Sequence, residues 1–251
     1  MDRRDVLKAL AGLALCPLCA SAGFAAEGAH WSYGGATGPD KWGELDAANR
    51  VCSTGAQQSP IDIVDTIAAK LPPLKIAWRK QAATTIVNNG HTIQLNAAEG
   101  STLTIGKDNY VLLQFHFHRP SEHKIGGRSY PMEVHYVHRN AAGNLAVVGV
   151  LMTAGKANAA FRKIAASMPA KAGTEAKADG IDPNGLLPRS RGYYNYAGSL
   201  TTPACNETVN WLLLTTPVEV AKADIDAFAK LYAMNARPAQ KINRRFVLRS
   251  G

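Results

Sequence analysis

Gln114-Phe115-His116-Phe117-His118 and, further along the chain, Glu133-Val134-His135-Tyr136-Val137 decide how this chain folds. In an extended strand, side chains point to alternate faces, so Gln114, His116 and His118 share one face and Phe115 and Phe117 the other. A Gly126-Gly127 turn signal lies between the two runs. Antiparallel pairing across it would set His135 beside His116 and His118. Three neutral imidazoles leave a fourth tetrahedral position open, the pattern of a catalytic zinc site, whereas a structural zinc would recruit cysteine. The competing account is a set of half-buried sheet histidines satisfied by hydrogen bonds. Gln114 and Glu133 each lie two residues from a histidine on the same face. Metal-binding imidazoles usually donate their second N–H to such a group, and burying a Gln or Glu without a partner would be costly.

Outward from this pair, β-rich runs occur at Thr84–Val87, Thr92–Leu95, Ser101–Ile105, Tyr110–His118, Met132–Arg139, Leu145–Met152 and Val209–Thr215. Gly and Asn turn signals separate them. Ala157–Met168 and Lys222–Met234 have helical composition and spacing. Residues 170–197 show no clear period and read as a long surface loop. The expected fold is mainly β (α+β), a single domain around a large, mostly antiparallel central sheet with peripheral helices. The 251 residues are 46% apolar and 19% charged, enough for a packed core and against global disorder.

Met1 to Ala26 reads as an export signal. Arg3-Arg4 begin it, Leu10 to Leu15 form a short apolar run, and Ala20-Ser21-Ala22 is a small-x-small cleavage pattern. Arg3-Arg4-Asp5-Val6-Leu7-Lys8 is similar to a twin-arginine signal. The apolar run is too short for a stable membrane span, so the product, 27–251, is expected to be periplasmic or secreted. Cys16 and Cys19 leave with the signal, and the remaining pair, Cys52 and Cys205, suggests one disulfide in an oxidising compartment. Removing the three basic and two acidic residues of 1–22 takes the net charge from +9 to +8. The basic residues are scattered rather than gathered into a stripe, so nucleic-acid binding is not expected.

The segment Gln114 to His123, followed by Glu133 to His138, resembles the zinc site of an α-class carbonic anhydrase of the bacterial exported type. Similar motifs continue along the chain: Trp31-Ser32-Tyr33, Gln58-Ser59-Pro60-Ile61-Asp62-Ile63, Asn88-Asn89-Gly90-His91, Ser199-Leu200-Thr201-Thr202-Pro203 to Trp211, and Arg237-Pro238-Ala239-Gln240. The resemblance implies a zinc enzyme that hydrates carbon dioxide reversibly to bicarbonate and a proton, with one Zn2+ per chain. His116, His118 and His135 would hold the metal, with Gln114 and Glu133 behind them. Zinc would bring the pKa of its water to roughly 7, a value established for such sites in general. Thr201 would accept the hydroxide's hydrogen bond and pass its own proton to Glu122. Val137, Val147, Leu200 and Trp211 would form an apolar wall around the substrate, and Thr202 would position bicarbonate.

By the same resemblance, His91 would export the proton, supported by Tyr33, Asn89 and Gln94. On residue chemistry alone His91 also fits a polar residue after an Asn-Gly turn, the rival to the shuttle role. The family's exported members bridge the pair matching Cys52 and Cys205. The backbone partner of His118 would lie near Asn243, where the chain is one residue shorter than the family pattern. Sulfonamide and anion inhibitors are expected, and the resemblance leaves a homodimer open. His116-x-His118-x-x-x-Glu122 also matches a cupin metal motif, in which Glu122 would be a fourth ligand to iron or manganese. A third reading is a binding module of the same fold without catalysis, although such modules usually lack a ligand histidine.

Overall fold

The two runs pair as antiparallel neighbours, with His116 opposite His135 and His118 opposite Glu133. This is a computed structural model, and it describes residues 30–80 and 83–251. The export-signal reading of residues 1–26 lies outside the described residues. Trp31–Gly251 form one compact unit.

The strands join a 13-stranded sheet. Along its main path the order is Thr174–Lys177, Ala83–Asn88, Ile93–Ala97, Asp108–His118, Met132–Asn140, Leu145–Ala154, Val209–Leu214, Tyr193–Gly198, Leu248–Ser250 and Ile67–Ala69. Most pairings are antiparallel. Leu145–Ala154 runs parallel to Val209–Leu214, and Leu248–Ser250 runs parallel to Ile67–Ala69. All seven expected strands coincide with or overlap observed ones. The central strands are rich in β-branched and aromatic residues, which pack well on a pleated surface covered on both sides.

Two apolar layers cover the sheet. Phe115, Phe117, Val134, Tyr136, Val148, Val150, Leu212 and Leu214 point into the larger one, where Phe161, Ile164, Ile225 and Phe228 come from the helices Ala159–Ser167 and Lys222–Leu231. Val137, Val147, Tyr196, Val209 and Trp211 belong to the smaller layer on the opposite face, the face that carries the histidines. The period of two therefore sorts aromatic anchors to one side and site residues to the other.

Three expectations need correction. Residues 170–197 are not one loop, because they contain Thr174–Lys177 and most of Tyr193–Gly198. The second helix ends at Leu231 rather than Met234, which frees the chain to turn inward at Asn235. The first helix begins at Ala159, where the Asn158 side chain accepts hydrogen bonds from the N–H groups of Ala160 and Phe161. No helix among the described residues is long and apolar enough to cross a membrane.

Candidate metal centre

His116, His118 and His135 each offer a ring nitrogen, and the three atoms lie within 4.8 Å of one another, the scale of one ion's coordination sphere. The second nitrogen of each ring is held. His116 Nδ1 donates to Gln114 Oε1 at 2.8 Å, His118 Nδ1 to the Asn235 carbonyl at 2.8 Å, and His135 Nε2 to Glu133 Oε1 at 2.8 Å. These bonds fix which nitrogen of each ring carries the proton and aim His116 Nε2, His118 Nε2 and His135 Nδ1 inward. His118 Nε2 is fully buried without a hydrogen-bond partner. A buried polar atom left open is costly unless something else pairs with it, and an imidazole lone pair aimed at two others suits a zinc ion. Burial pushes all three histidines below their usual pKa, His118 to about 4, so the neutral, ligating form is favoured.

Behind the three histidines lies a closed polar network. Glu133 Oε1 also faces His123 Nδ1 at 2.7 Å, and Glu133 Oε2 accepts the His123 backbone N–H. His123 Nε2 lies 2.7 Å from the Tyr196 hydroxyl, which lies 3.0 Å from Ser59 Oγ. Burial would raise the Glu133 pKa, but the facing imidazoles and their hydrogen bonds hold it well below the usual carboxylate range. Both nitrogens of His123 are thus occupied, which separates it from the ligands although it too lies beside Glu133 and His135. Gly149, opposite His135 in the next strand, makes room for this packing. A Cβ there would meet Leu213 Cδ1 at 2.8 Å and Glu133 Oε1 at 3.1 Å.

Glu122 is buried beside the ligands, its Oε2 3.9 Å from His135 Nδ1. Burial raises its pKa to about 7, against the opposing pull of His135, Thr201 and the Arg237 N–H. Oε1 accepts that N–H at 2.8 Å, while Oε2 has no full hydrogen bond. Thr201, also buried, thus influences the carboxyl without closing onto Oε2. Leu200 packs against the smaller apolar layer, to which Val137, Val147 and Trp211 belong, and the Trp211 indole N–H donates to the Ser199 carbonyl. Thr202 is half-buried, and its carbonyl accepts the Cys205 N–H. Cys52 and Cys205 form a disulfide.

His91 is half-buried and stacks on Trp31, with ring centroids 3.7 Å apart and planes 7° from parallel. Asn89 Oδ1 accepts the backbone N–H groups of His91 and Thr92, so that oxygen is spent on the turn. Gln94 sits opposite His116, and its amide donates to Asn96 Oδ1. Tyr33 packs edge-on against Trp31 and Trp42, and burial followed by the nearby Glu122 charge raises its hydroxyl pKa.

The expected partner of His118 near Asn243 is wrong. It is the carbonyl of Asn235, whose side-chain amide also donates to the carbonyls of His91 and Phe117. The Asn243 amide instead donates to the Ala56 carbonyl. Sequence reasoning gave no role to Asn235 and Tyr196, nor to His123 and Arg237, although the last two lie in quoted motifs. The available signals were the histidine-rich segment to which His123 belongs and the motif that begins at Arg237.

A model of the family described as eukaryotic-type carbonic anhydrase matches residues 37–251. A carbonic anhydrase of Neisseria gonorrhoeae is 43% identical over 221 residues, covering 87% of each chain. One from Nostoc is 37% identical over 256 residues, covering 98% of this chain and 97% of its own. The solved α-carbonic anhydrase of Thermovibrio ammonificans, in complex with sulfanilamide, superposes with a TM-score of 0.86 at 41% identity, covering 88% of this chain and 99% of that one.

Proposed function

The chain belongs to the eukaryotic-type carbonic anhydrase family, and from that premise we propose how its residues carry out the reversible hydration of carbon dioxide. It is an enzyme, a lyase of that family. The reading rests above all on His118 Nε2, buried, partnerless and aimed at two further imidazoles. His116 Nε2, His118 Nε2 and His135 Nδ1 would hold zinc, which when bound supplies a water ionised near neutral pH, at roughly 7.

The remaining roles fall to the chain's own groups. Thr201 accepts a hydrogen bond from the attacking oxygen and donates one from its own hydroxyl to Glu122, so that a lone pair faces the carbon of the substrate. Glu122 can receive it because its other oxygen already holds the Arg237 N–H. Val137, Val147, Leu200 and Trp211 exclude water and seat an uncharged molecule, and Thr202 positions the bicarbonate formed. His91 carries the released proton outward, with Tyr33, Asn89 and Gln94 supporting the water chain between. We read residues 1–26 as an export signal of twin-arginine type and the mature protein as periplasmic or secreted. The Cys52–Cys205 disulfide supports an oxidising destination.

The deciding experiment pairs zinc stoichiometry with a sulfonamide-inhibited hydration assay on the mature protein. One zinc per chain and inhibitable hydration are expected. A fully zinc-loaded protein that does not hydrate carbon dioxide overturns the reading.

A further inference from the structure

The backbone N–H of Arg237 holds Glu122 Oε1, but its guanidinium points elsewhere. Buried at 2% exposure, it donates from Nη1 to the Ser59 carbonyl at 2.8 Å and from Nη2 to the Cys52 carbonyl at 2.9 Å, and it lies over the Trp42 ring at 5.5 Å. Cys52 is bonded to Cys205. Cys205 N–H in turn donates to the Thr202 carbonyl at 2.8 Å, and the Cys205 carbonyl accepts from Gln58 Nε2 at 3.1 Å. The turn bearing Thr201 is closed on its other side by Leu200 N–H donating to the Asn206 carbonyl at 3.1 Å. A continuous path therefore runs from Glu122 through Arg237, Cys52, the disulfide and Cys205 to Thr202, next to Thr201. Glu122 and Thr201 come from segments far apart in the chain, and this path fixes one relative to the other.

We propose that Arg237 is a positioning residue for the Glu122–Thr201 pair, and that the Cys52–Cys205 disulfide acts on the hydration step through its guanidinium. This rests on the roles proposed above for Glu122 and Thr201. The planar fork of arginine holds two carbonyls in a fixed relation, and a lysine ammonium cannot reproduce it. Arg237→Lys keeps the backbone N–H that Glu122 uses while releasing at least one of the two carbonyls and the Trp42 contact, so the amide remains but its aim is no longer fixed. Misplacing a reacting group by about 1 Å can cost about 100-fold in rate. A partial loosening is expected to cost about tenfold.

The test is a double-mutant cycle on kcat/KM per bound zinc, using Arg237→Lys, Cys52→Ser with Cys205→Ser, and all three together. Each change alone should lower kcat/KM about tenfold with zinc content unchanged, and the combination should fall hardly further, because both break one path. Two results overturn the proposal: full kcat/KM in folded Arg237→Lys, or losses that multiply to about 100-fold. A separate readout needs neither activity nor the variants. Reducing the disulfide in the full chain should speed amide exchange at Arg237 together with residues 199–206. If those residues loosen while the Arg237 N–H stays protected, the path is not coupled and the proposal fails. An inactive zinc-loaded wild type would sink the functional reading instead, and the exchange result would still decide whether the path exists.

Discussion

His138 should destabilise this protein in mild acid, through chemistry separate from the metal centre. Its ring is fully buried, and the indole N–H of Trp78 donates to its Nε2 at 3.0 Å. That bond makes Nε2 an acceptor and leaves the proton on Nδ1, which faces the Ala146 carbonyl at 3.3 Å. Charging the ring would put a second proton on Nε2, against the indole N–H. Burial accordingly pushes the His138 pKa from 6.5 down to about 4, although the carbonyl contacts pull the other way. The folded pKa lies below the unfolded one, so the unfolded chain binds the proton first as pH falls. Stability is unaffected above about 6.5 and is lost between there and about 4. At 1.36 kcal/mol per pH unit the full loss is about 3 kcal/mol, with about 1.4 reached by pH 5.5 and about 2.5 by pH 4.5. His138→Gln can still accept from Trp78 and donate to Ala146 but does not titrate. Denaturant unfolding of both chelator-treated proteins between pH 7.5 and 4.5 isolates the effect, since the histidines of the candidate metal centre titrate alike in each. The stability gap should move in favour of the variant by about 2.5 kcal/mol at pH 4.5. A gap that does not change with pH would refute the argument, as would an NMR titration showing the His138 ring charged at pH 5.5.

Thr201→Ala should retain zinc and lose about 100-fold in kcat/KM. Glu122→Gln should also retain zinc by metal analysis, whereas a cupin-type ligand role would require metal loss. His91→Ala should lower kcat about tenfold in weak buffer and recover when imidazole is added, and indifference to buffer would remove His91 from the proton path. Gly149→Ala should force Glu133 or Leu213 to shift and weaken zinc binding by about tenfold in a competition titration, and unchanged affinity would show that Glu133 has room to spare.

The three candidate ligand histidines were legible because they lie in regular stretches of two strands. Period two sets Gln114, His116 and His118 on one face whatever the rest of the chain does, and a Gly-Gly turn signal marked the break before the partner strand. Tyr193–Gly198 escaped because it has no such asymmetry. Tyr193 packs into the larger apolar layer and Tyr196 into the smaller one. A strand covered on both faces shows no alternation to read. Asn235 was invisible for a different reason. What it gives His118 is a backbone carbonyl, which every residue possesses, and only the early end of the last helix brings that carbonyl inward. Arg237 is similar, since Glu122 uses its amide and not its side chain.

The buried polar groups also distinguish scaffolding from chemistry. Apolar replacement of a buried ionic network is often neutral or stabilising, so this one is not explained by stability alone. Around Glu133 the pairing is complete: both carboxylate oxygens, both nitrogens of His123 and the Tyr196 hydroxyl are engaged. Ser59 and Ser199 close the far end by exchanging backbone N–H and hydroxyl contacts. A Cβ at Gly198 would come within 2.2 Å of Ser59 Oγ, so that contact requires glycine. At the centre, His118 Nε2 and Glu122 Oε2 stay open, one aimed among the imidazoles and the other on the carboxyl beside Thr201. Gln58 Oε1, Asp224 Oδ2 and Arg237 Nε are also buried without a partner, but His118 Nε2 and Glu122 Oε2 are the two that lie among the three imidazoles, where leaving a buried polar atom open is costly without a ligand. Their placement at the candidate ion site and at the proposed proton relay suits the proposed reaction: the groups around Glu133 are paired, while these two atoms stay available to a metal and to the Thr201 hydroxyl.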